Sequence, residues 1–304
     1  MMQLNVTNEF SPLRAVVLGT AKSNGLTPEL KDAYDPKSAE HIKAGTYPLE
    51  HDMIVEMEAL AAIFKKYGVT VYRPSILEDY NQIFSRDIAF VIEDKFIIAN
   101  ILEDRSREID ALDHVISKID PSKIIEFPEN AHIEGGDVMP HGDYIFVGTY
   151  YGEDYKKYIT ARTNRKAVQH LQTLFPNKKV KSFSLRKSNT VAQDNALHLD
   201  CCFQPIGKGK CIIHKEGFLV EEEYQWLLDF FGKENCFHID KKEMYHMNSN
   251  IFSISEDVII SEKNFTRLNS WLRSQGFTVE EVPYAEISKQ EGLLRCTTMP
   301  LIRA

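Results

Sequence analysis

The 304-residue sequence predicts an α/β domain assembled from about five pseudo-repeats. Three observations carry that prediction. Apolar β-like runs and helical periods alternate from end to end with no low-complexity linker. A hairpin, a helix and a strand recur in that order after a shorter first unit. Short polar clusters stand where the hairpins begin or end. The units are spaced by about 45–65 residues, too irregular for a simple solenoid. Units that each leave one apolar face need neighbours to cover it, which is the logic of propellers and closed repeats. The competing reading is an ordinary α+β protein without repeats.

The elements follow in order. Leu13 to Gly19 is a short apolar strand closed by glycine. From Glu50 to Tyr67 the positions Met53, Ile54, Met57, Leu60, Ala61 and Phe64 follow helical spacing, with Gly68 as the residue after the C-cap. Val69 to Tyr72 is a strand stopped by Pro74. Asp87 to Asn100 reads as a hairpin turning at Glu93-Asp94-Lys95, followed by a helix over 105–118 and a strand from Lys123 to Phe127. His132 to Gly148 is hairpin-like, with its turn at His141-Gly142-Asp143, then a helix over 163–174 and a strand over 180–185. His198 to His214, a helix over 221–231 and Phe237 to Ile239 form the next unit. Asn250 to Lys263, a helix over 264–275 and Phe277 to Val282 form the last.

The length allows one large domain or about two of 150 residues. The spread of the repeats favours one domain over residues 1–304. With 43% apolar and 11% aromatic residues the chain can bury a sizeable core, which excludes a disordered tail or a disulfide mini-protein. Lys and Arg total 36 against 44 Asp and Glu, a net charge of −8, which argues against a nucleic-acid or anionic-membrane partner. No apolar run approaches the roughly 18 residues that span a bilayer, and the start has no secretory-signal pattern. The five cysteines include no CxxC pair, so a zinc knuckle is not indicated. Together these features point to free thiols in a reducing cytoplasm.

The polar clusters are Arg86-Asp87, Glu134-Gly135-Gly136-Asp137, His198-Leu199-Asp200, Asn248-Ser249-Asn250 and Arg295-Cys296. If the repeats close around an axis, these ends converge, and Asp, Glu, His and Cys together make an active-site inventory. Cys296 is the leading nucleophile. Arg295 beside it would lower the thiol's pKa, and Gly292 would let backbone approach. The bland reading of Cys296 is a small buried hydrophobe. His198 is the leading acid/base, and strand alternation would put it on one face with Asp200. The alternative is a surface strand. His51, His141, His214, His238 and His246 lack such company and read as surface or loop residues. Glu134 reads as the residue that orients a histidine, its Gly-Gly pair marking close backbone approach or a plain turn. Asp87 reads as a carboxylate facing substrate or as half of a solvated pair with Arg86.

In this order the motifs IFSRD (83–87), HIEGGD (132–137), HLD (198–200), MNSN (247–250) and LRCTTMPL (294–301) resemble the guanidino-group modifying enzymes of the pentein fold. These include arginine deiminases, dimethylarginine dimethylaminohydrolases and glycine amidinotransferases. The resemblance covers nearly the whole chain. It implies a β/α-propeller of five ββαβ-type modules around a pseudo-fivefold axis. It implies that Cys296 attacks the guanidinium carbon, that His198 protonates the departing nitrogen and that Glu134 pairs with His198. Asp87 and Asp200 would hold the substrate's N–H groups, with Arg86 and Asn250 also at the substrate. Arg14, Arg86 and Arg295 are the arginines considered for a substrate carboxylate. No metal or cofactor is expected, and a homodimer is compatible with the family.

The family motifs are mixed. EGGD fits the deiminases and dimethylaminohydrolases, HLD with RCTTMPL fits arginine deiminase, and the length leaves no room for the deiminases' extra helical domain. Leu293 and Leu294 stand where the family has further glycines. The leading expectation is a cysteine-dependent hydrolase cleaving a C–N bond of a guanidino or ureido compound. The alternatives are an amidinotransferase using the same covalent intermediate and a catalytically inactive binding pentein.

Overall fold

A computed structural model describes residues 1–153 and 155–304. The apolar runs resolve into five sheets of three strands each. In the first, β1 (Leu13–Leu18) lies parallel to β2 (Thr70–Tyr72). The second holds β3 (Ala89–Ile92), β4 (Lys95–Ile98) and β5 (Ile124–Glu126). The third holds β6 (Val138–His141), β7 (Tyr144–Thr149) and β8 (Lys179–Ser184). The fourth holds β9 (Phe203–Ile206), β10 (Lys210–Ile213) and β11 (Cys236–His238). The fifth holds β12 (Phe252–Ser253), β13 (Val258–Glu262) and β14 (Thr278–Val282).

In these last four sheets the middle strand runs antiparallel to the strand before it and parallel to the strand after it. β15 (Thr298–Arg303) pairs antiparallel with β1, so the first sheet repeats the pattern with its hairpin partner supplied by the last strand. The shared ββαβ order decides against the repeat-free reading. A hairpin needs only a tight turn, whereas the parallel third strand needs a crossover, and a helix fills that role.

Helix Glu50–Lys66 buries Met53, Met57, Leu60 and Phe64 along one face. Phe64 meets Phe252 edge to face, with ring centroids 5.6 Å apart. Each such side chain contributes about 1.5–3 kcal/mol through burial. Gly68 follows the helix at φ +68°, the left-handed conformation expected of it. A helix not foreseen, Pro36–Lys43, is capped by Asp35, whose carboxylate accepts from the Ser38 amide at 2.7 Å. Its sequence signal was the pair Asp35-Pro36, a capping residue followed by proline at the first helical position.

The helix expected over 105–118 is instead a series of 3₁₀ turns and one short helix, Asp113–Ile116. On a surface helix the local charges would face water. Here Arg105 turns inward, donating to Asp87 at 2.8 Å and to Glu108 at 2.6 Å.

Before the first strand of each sheet the chain makes a tight turn: Ser85–Ile88, Gly135–Asp137, Leu199–Cys201, and the turns ending near Asn250 and Thr297. Each touches the next. A Cβ on Gly135 would lie 2.1 Å from the Arg86 carbonyl oxygen, so only glycine fits there. The Leu199 amide donates to Asp137 at 2.9 Å, and Ser249 donates to the Asp200 carbonyl at 2.8 Å. The Arg295 amide donates to Asn250 at 3.0 Å, and the Arg86 amide to the Cys296 carbonyl at 3.0 Å.

Candidate functional site

These turns bring residues far apart in sequence to a cavity of about 570 Å³, whose wall includes Asp87, His198 and Cys296. His198 does not sit on a strand, as alternation suggested. It caps the turn Leu199–Cys201, so Asp200 points elsewhere. The imidazole Nε2 lies 2.7 Å from Glu134 Oε2, and Nδ1 lies 3.8 Å from Asp87 Oδ1. A Cβ on Gly136 would stand 2.6 Å from that Nδ1, so the Gly-Gly pair serves close approach. Arg162 grips Glu134 from the other side, at 3.0 and 3.1 Å. All of these side chains are buried.

Asn250 holds Cys296 through two contacts: its Oδ1 accepts from the Cys296 amide at 3.1 Å, and its Nδ2 lies 3.2 Å from Sγ. Asp200 Oδ2 stands 3.6 Å from the same sulfur. Asp200 in turn receives Arg295 at 2.8 Å, and Arg295 is clasped by Glu9 at 3.0 and 3.1 Å.

Burial alone would lower the pKa of His198, but Asp87, the Glu134 hydrogen bond and Asp137 raise it above the ordinary value. Burial would raise Glu134, yet Arg162 and His198 hold it well below the usual carboxylate range. Burial pushes Asp87 upward despite His198 and Arg105. Burial, with Asp200 and Asp87 beside it, pushes the Cys296 thiol well up. The expected lowering of that thiol by Arg295 does not occur, because Arg295 is spent on Glu9 and Asp200.

The predicted residues divide by position. Asp87, His198 and Cys296 line the cavity. Glu134, Asp200 and Asn250 stand behind them as hydrogen-bond partners. Arg86 points away from the cavity, toward Glu9 at 3.8 Å and the Arg295 carbonyl at 3.3 Å. Arg14 is exposed on β1. The arginines on the cavity wall, among the described residues, are Arg105 and Arg162, neither of which the sequence reading singled out. Glu9 was missed as well. Glu9 and Arg162 are lone charges in unremarkable surroundings, Arg105 is one of several charges over 103–108, and only the fold shows the partner of each. Asp87, Glu134 and His198 offer atoms within 4.8 Å of one another, the spacing of a metal-ligand set, and Arg105 and Arg162 already supply positive charge to that cluster.

His214 and His141 also depart from expectation. His214 is buried, with Nδ1 2.8 Å from the Ile239 carbonyl, and His141 stacks on Phe146 at 5.3 Å. His51, His238 and His246 are exposed. All five cysteines are free and buried.

A family model described as N,N dimethylarginine dimethylhydrolase, eukaryotic, matches residues 35–303. The chain belongs to this family, within the pentein superfamily. It is 26% identical to the uncharacterized protein YkgA of Bacillus subtilis, over 97% of this chain and 94% of that one. It is 22% identical to an N(G),N(G)-dimethylarginine dimethylaminohydrolase of Pseudomonas aeruginosa, over 65% of this chain and 67% of the relative. An arginine deiminase of Pediococcus pentosaceus is 26% identical over 57% of this chain, and the match spans 47% of that enzyme.

Among solved structures, an amidinotransferase of Microseira wollei superposes with a TM-score of 0.74 at 16% identity, covering 99% of this chain and 97% of its own. The N-terminal domain of ArgZ, a cyanobacterial arginine dihydrolase, gives 0.77 at 15% identity, covering 95% and 97%. At such identities these likenesses establish the fold. The chain is thus related to guanidino-modifying enzymes. No helix among the described residues is long and apolar enough to cross a membrane.

Proposed function

We propose that this protein is a cysteine-dependent hydrolase that breaks a C–N bond of a guanidino or ureido substrate through an adduct on Cys296. One observation carries the reading. Asp87 Oδ1 and His198 Nδ1 are buried, lack a hydrogen-bond partner, and stand 3.8 Å apart on the cavity wall that also holds Cys296. Buried polar atoms are nearly always paired, so beside this thiol Asp87 Oδ1 calls for an N–H donor such as a guanidine or urea supplies, and protonated His198 Nδ1 has a proton for a departing nitrogen.

The steps follow from the groups. Asp87 accepts N–H bonds from the substrate and fixes its plane. A bound cation offsets the charge that Asp87 and Asp200 press on the thiol, so as substrate docks the sulfur ionises and its proton leaves to solvent water. Sγ adds to the central carbon, His198 donates its proton to the departing nitrogen, and the C–N bond breaks. The carbon remains on sulfur. His198, now neutral, takes a proton from water, the hydroxide adds, and the C–S bond breaks to restore the thiolate. Glu134 keeps the imidazole oriented, and Arg162 keeps Glu134 ionised. Asn250 and Asp200 position Cys296. Arg105 and Arg162, rather than Arg14, Arg86 or Arg295, are the cations on the cavity wall, and both are already bonded to carboxylates and backbone carbonyls.

We also place the whole of residues 1–304 in one domain whose five sheets close as a propeller. The pairing of β15 with β1 and the turn-to-turn contacts support this. The relatives named as hydrolases favour hydrolysis over amidino transfer. Incubation with arginine, citrulline and methylated arginines, with and without glycine, tests it. Release of ammonia or amine, with a transient mass increase on Cys296, is expected. Formation of guanidinoacetate only when glycine is present would replace hydrolysis with transfer, and no adduct with any guanidine or urea would refute both.

A further inference from the structure

Two cysteines that the proposed chemistry leaves aside face each other in the fourth sheet. Cys211 on β10 and Cys236 on β11 are paired positions of neighbouring parallel strands. Such strands lie about 4.8 Å apart, within the roughly 4.4–6.8 Å between Cα atoms that a disulfide accepts. The Cys211 thiol donates to Cys236 Sγ at 3.4 Å, and the Cys236 thiol points at the Gly232 carbonyl, 3.3 Å away. Sulfur is a weak acceptor, so packing alone gives little reason to aim one thiol at another. Cys202 shows the ordinary outcome, its buried thiol donating to the Leu199 carbonyl at 3.5 Å. Among the described residues no third histidine, cysteine or carboxylate stands close enough to make the pair a metal site. Neither cysteine lines the catalytic cavity.

The two sulfurs are unequal. Cys211 is wholly enclosed, whereas Cys236, at 8%, is the most exposed of the five cysteines. The bond from Cys211 holds the Cys236 thiol below its ordinary value, while burial pushes Cys211 well up. An outer sulfur that ionises and an inner one that keeps its proton have the roles of attacking and resolving thiol. We propose that Cys211 and Cys236 form a reversible disulfide when a peroxide is present, a staple across the fourth sheet that is separate from the catalytic centre. The Cys236 thiolate attacks hydrogen peroxide, the O–O bond breaks, and the hydroxide released takes a solvent proton to become water. Cys236 is then a sulfenic acid. Cys211 sulfur displaces its oxygen, which leaves as a second water carrying the Cys211 proton. Two thiols lose two electrons and one peroxide gains them. The helix Glu221–Phe231 crosses from β10 to β11 between these cysteines, so the new bond closes that crossover into a ring.

The experiment treats the reduced full chain with a slight excess of hydrogen peroxide, alkylates the remaining thiols and maps the peptides without reductant. A cross-linked pair of peptides carrying Cys211 and Cys236 is expected, lighter by two hydrogen atoms and released by dithiothreitol. Cys211→Ser should leave Cys236 as a sulfenic acid that dimedone labels, and Cys236→Ser should show neither cross-link nor label at position 236. Amide exchange over Glu221–Phe231 should slow by about tenfold or more in the oxidised parent and in neither variant. Peroxide that leaves both thiols open to alkylation, or links either one to a different cysteine, would overturn the pair. A cross-link with unchanged exchange would overturn the staple and keep the disulfide. Should a variant fail to fold, the parent's peptide map before and after dithiothreitol decides the pairing alone.

Discussion

Two clusters of buried charge lie back to back in this molecule, and they are built by opposite rules. Behind the cavity, Arg295 is completely occupied: Glu9 and Asp200 take its charge, and the Gly136 and Val138 carbonyls accept at 3.2 and 2.8 Å. Glu9 is held down to about 2, since Arg295 and Arg86 outweigh the burial that would raise it. On the cavity wall, by contrast, His198 and Asp87 each keep one atom without a partner. Satisfied charges such as Arg295 hold backbone turns in place, and the unpaired atoms of His198 and Asp87 are the ones that the proposed function uses. The difference teaches that burial of a charge says little about its role until its unpaired atoms are counted.

The sharpest way to break the comparison is to remove the sulfur. Cys296→Ala should lower turnover by about 10⁴-fold or more, since among the described residues no other cysteine lines the cavity with Asp87 and His198. Its melting temperature should stay close to that of the parent protein, because a thiol makes few contacts that alanine lacks. Assay of amine or ammonia release together with thermal unfolding checks both halves. Retained turnover would remove Cys296 from the chemistry.

Arg295 should behave in the reverse way. Arg295→Met leaves Asp200 buried without its counter-charge and Glu9 with only Arg86, at an expected cost of about 3–5 kcal/mol in unfolding free energy. Denaturant titration measures it. A small loss would mean that the cluster behind the cavity is wetter than its burial indicates.

The pH dependence sharpens the contrast further. His198 has a raised pKa in the folded protein, so its imidazolium stabilises the fold fully below the ordinary value of 6.5. That contribution is lost as pH rises through the raised value. Glu108 and Glu56 are each raised to about 7 by burial, and they also lose stability as pH climbs from their ordinary range. The comparison must therefore be made against His198→Gln, in which those carboxyls persist. The stability gap between the two proteins should narrow as pH rises from 6 toward 9. A gap that widens would mean that His198 is buried neutral.

Much of this was legible in the chain. Hairpin, helix and strand recurred because period-2 and period-3.6 patterns are local, and Gly68 announced its turn. The convergence of Asp87, His198 and Cys296 was readable as equivalent places in successive repeats. What could not be read was direction. Alternation put His198 and Asp200 on one face, yet a 3₁₀ turn sends one to the cavity wall and the other to Arg295. Adjacent Arg86 and Asp87 likewise diverge, and the charged segment around Arg105 folds inward because Asp87 waits there. Such outcomes depend on partners some 18 to 95 positions away, which no window of sequence contains.

The smallest expected effect isolates position from charge. Arg14 was considered from the sequence for a substrate carboxylate, and Arg105 is an arginine that the fold places on the cavity wall. Arg14 projects from β1 into solvent, whereas Arg105 is bound to Asp87 and Glu108 on the cavity wall. Exposed substitutions away from special features change stability by less than about 0.5 kcal/mol. Arg14→Ala should therefore leave both the denaturation midpoint and KM where they were. Arg105→Ala should raise KM, because it frees Asp87 and Glu108, two buried carboxyls that would then take up protons near neutral pH. If Arg14→Ala raised KM, a substrate path outside the cavity would be needed, and the division between scaffold charges and waiting charges would fail at its edge.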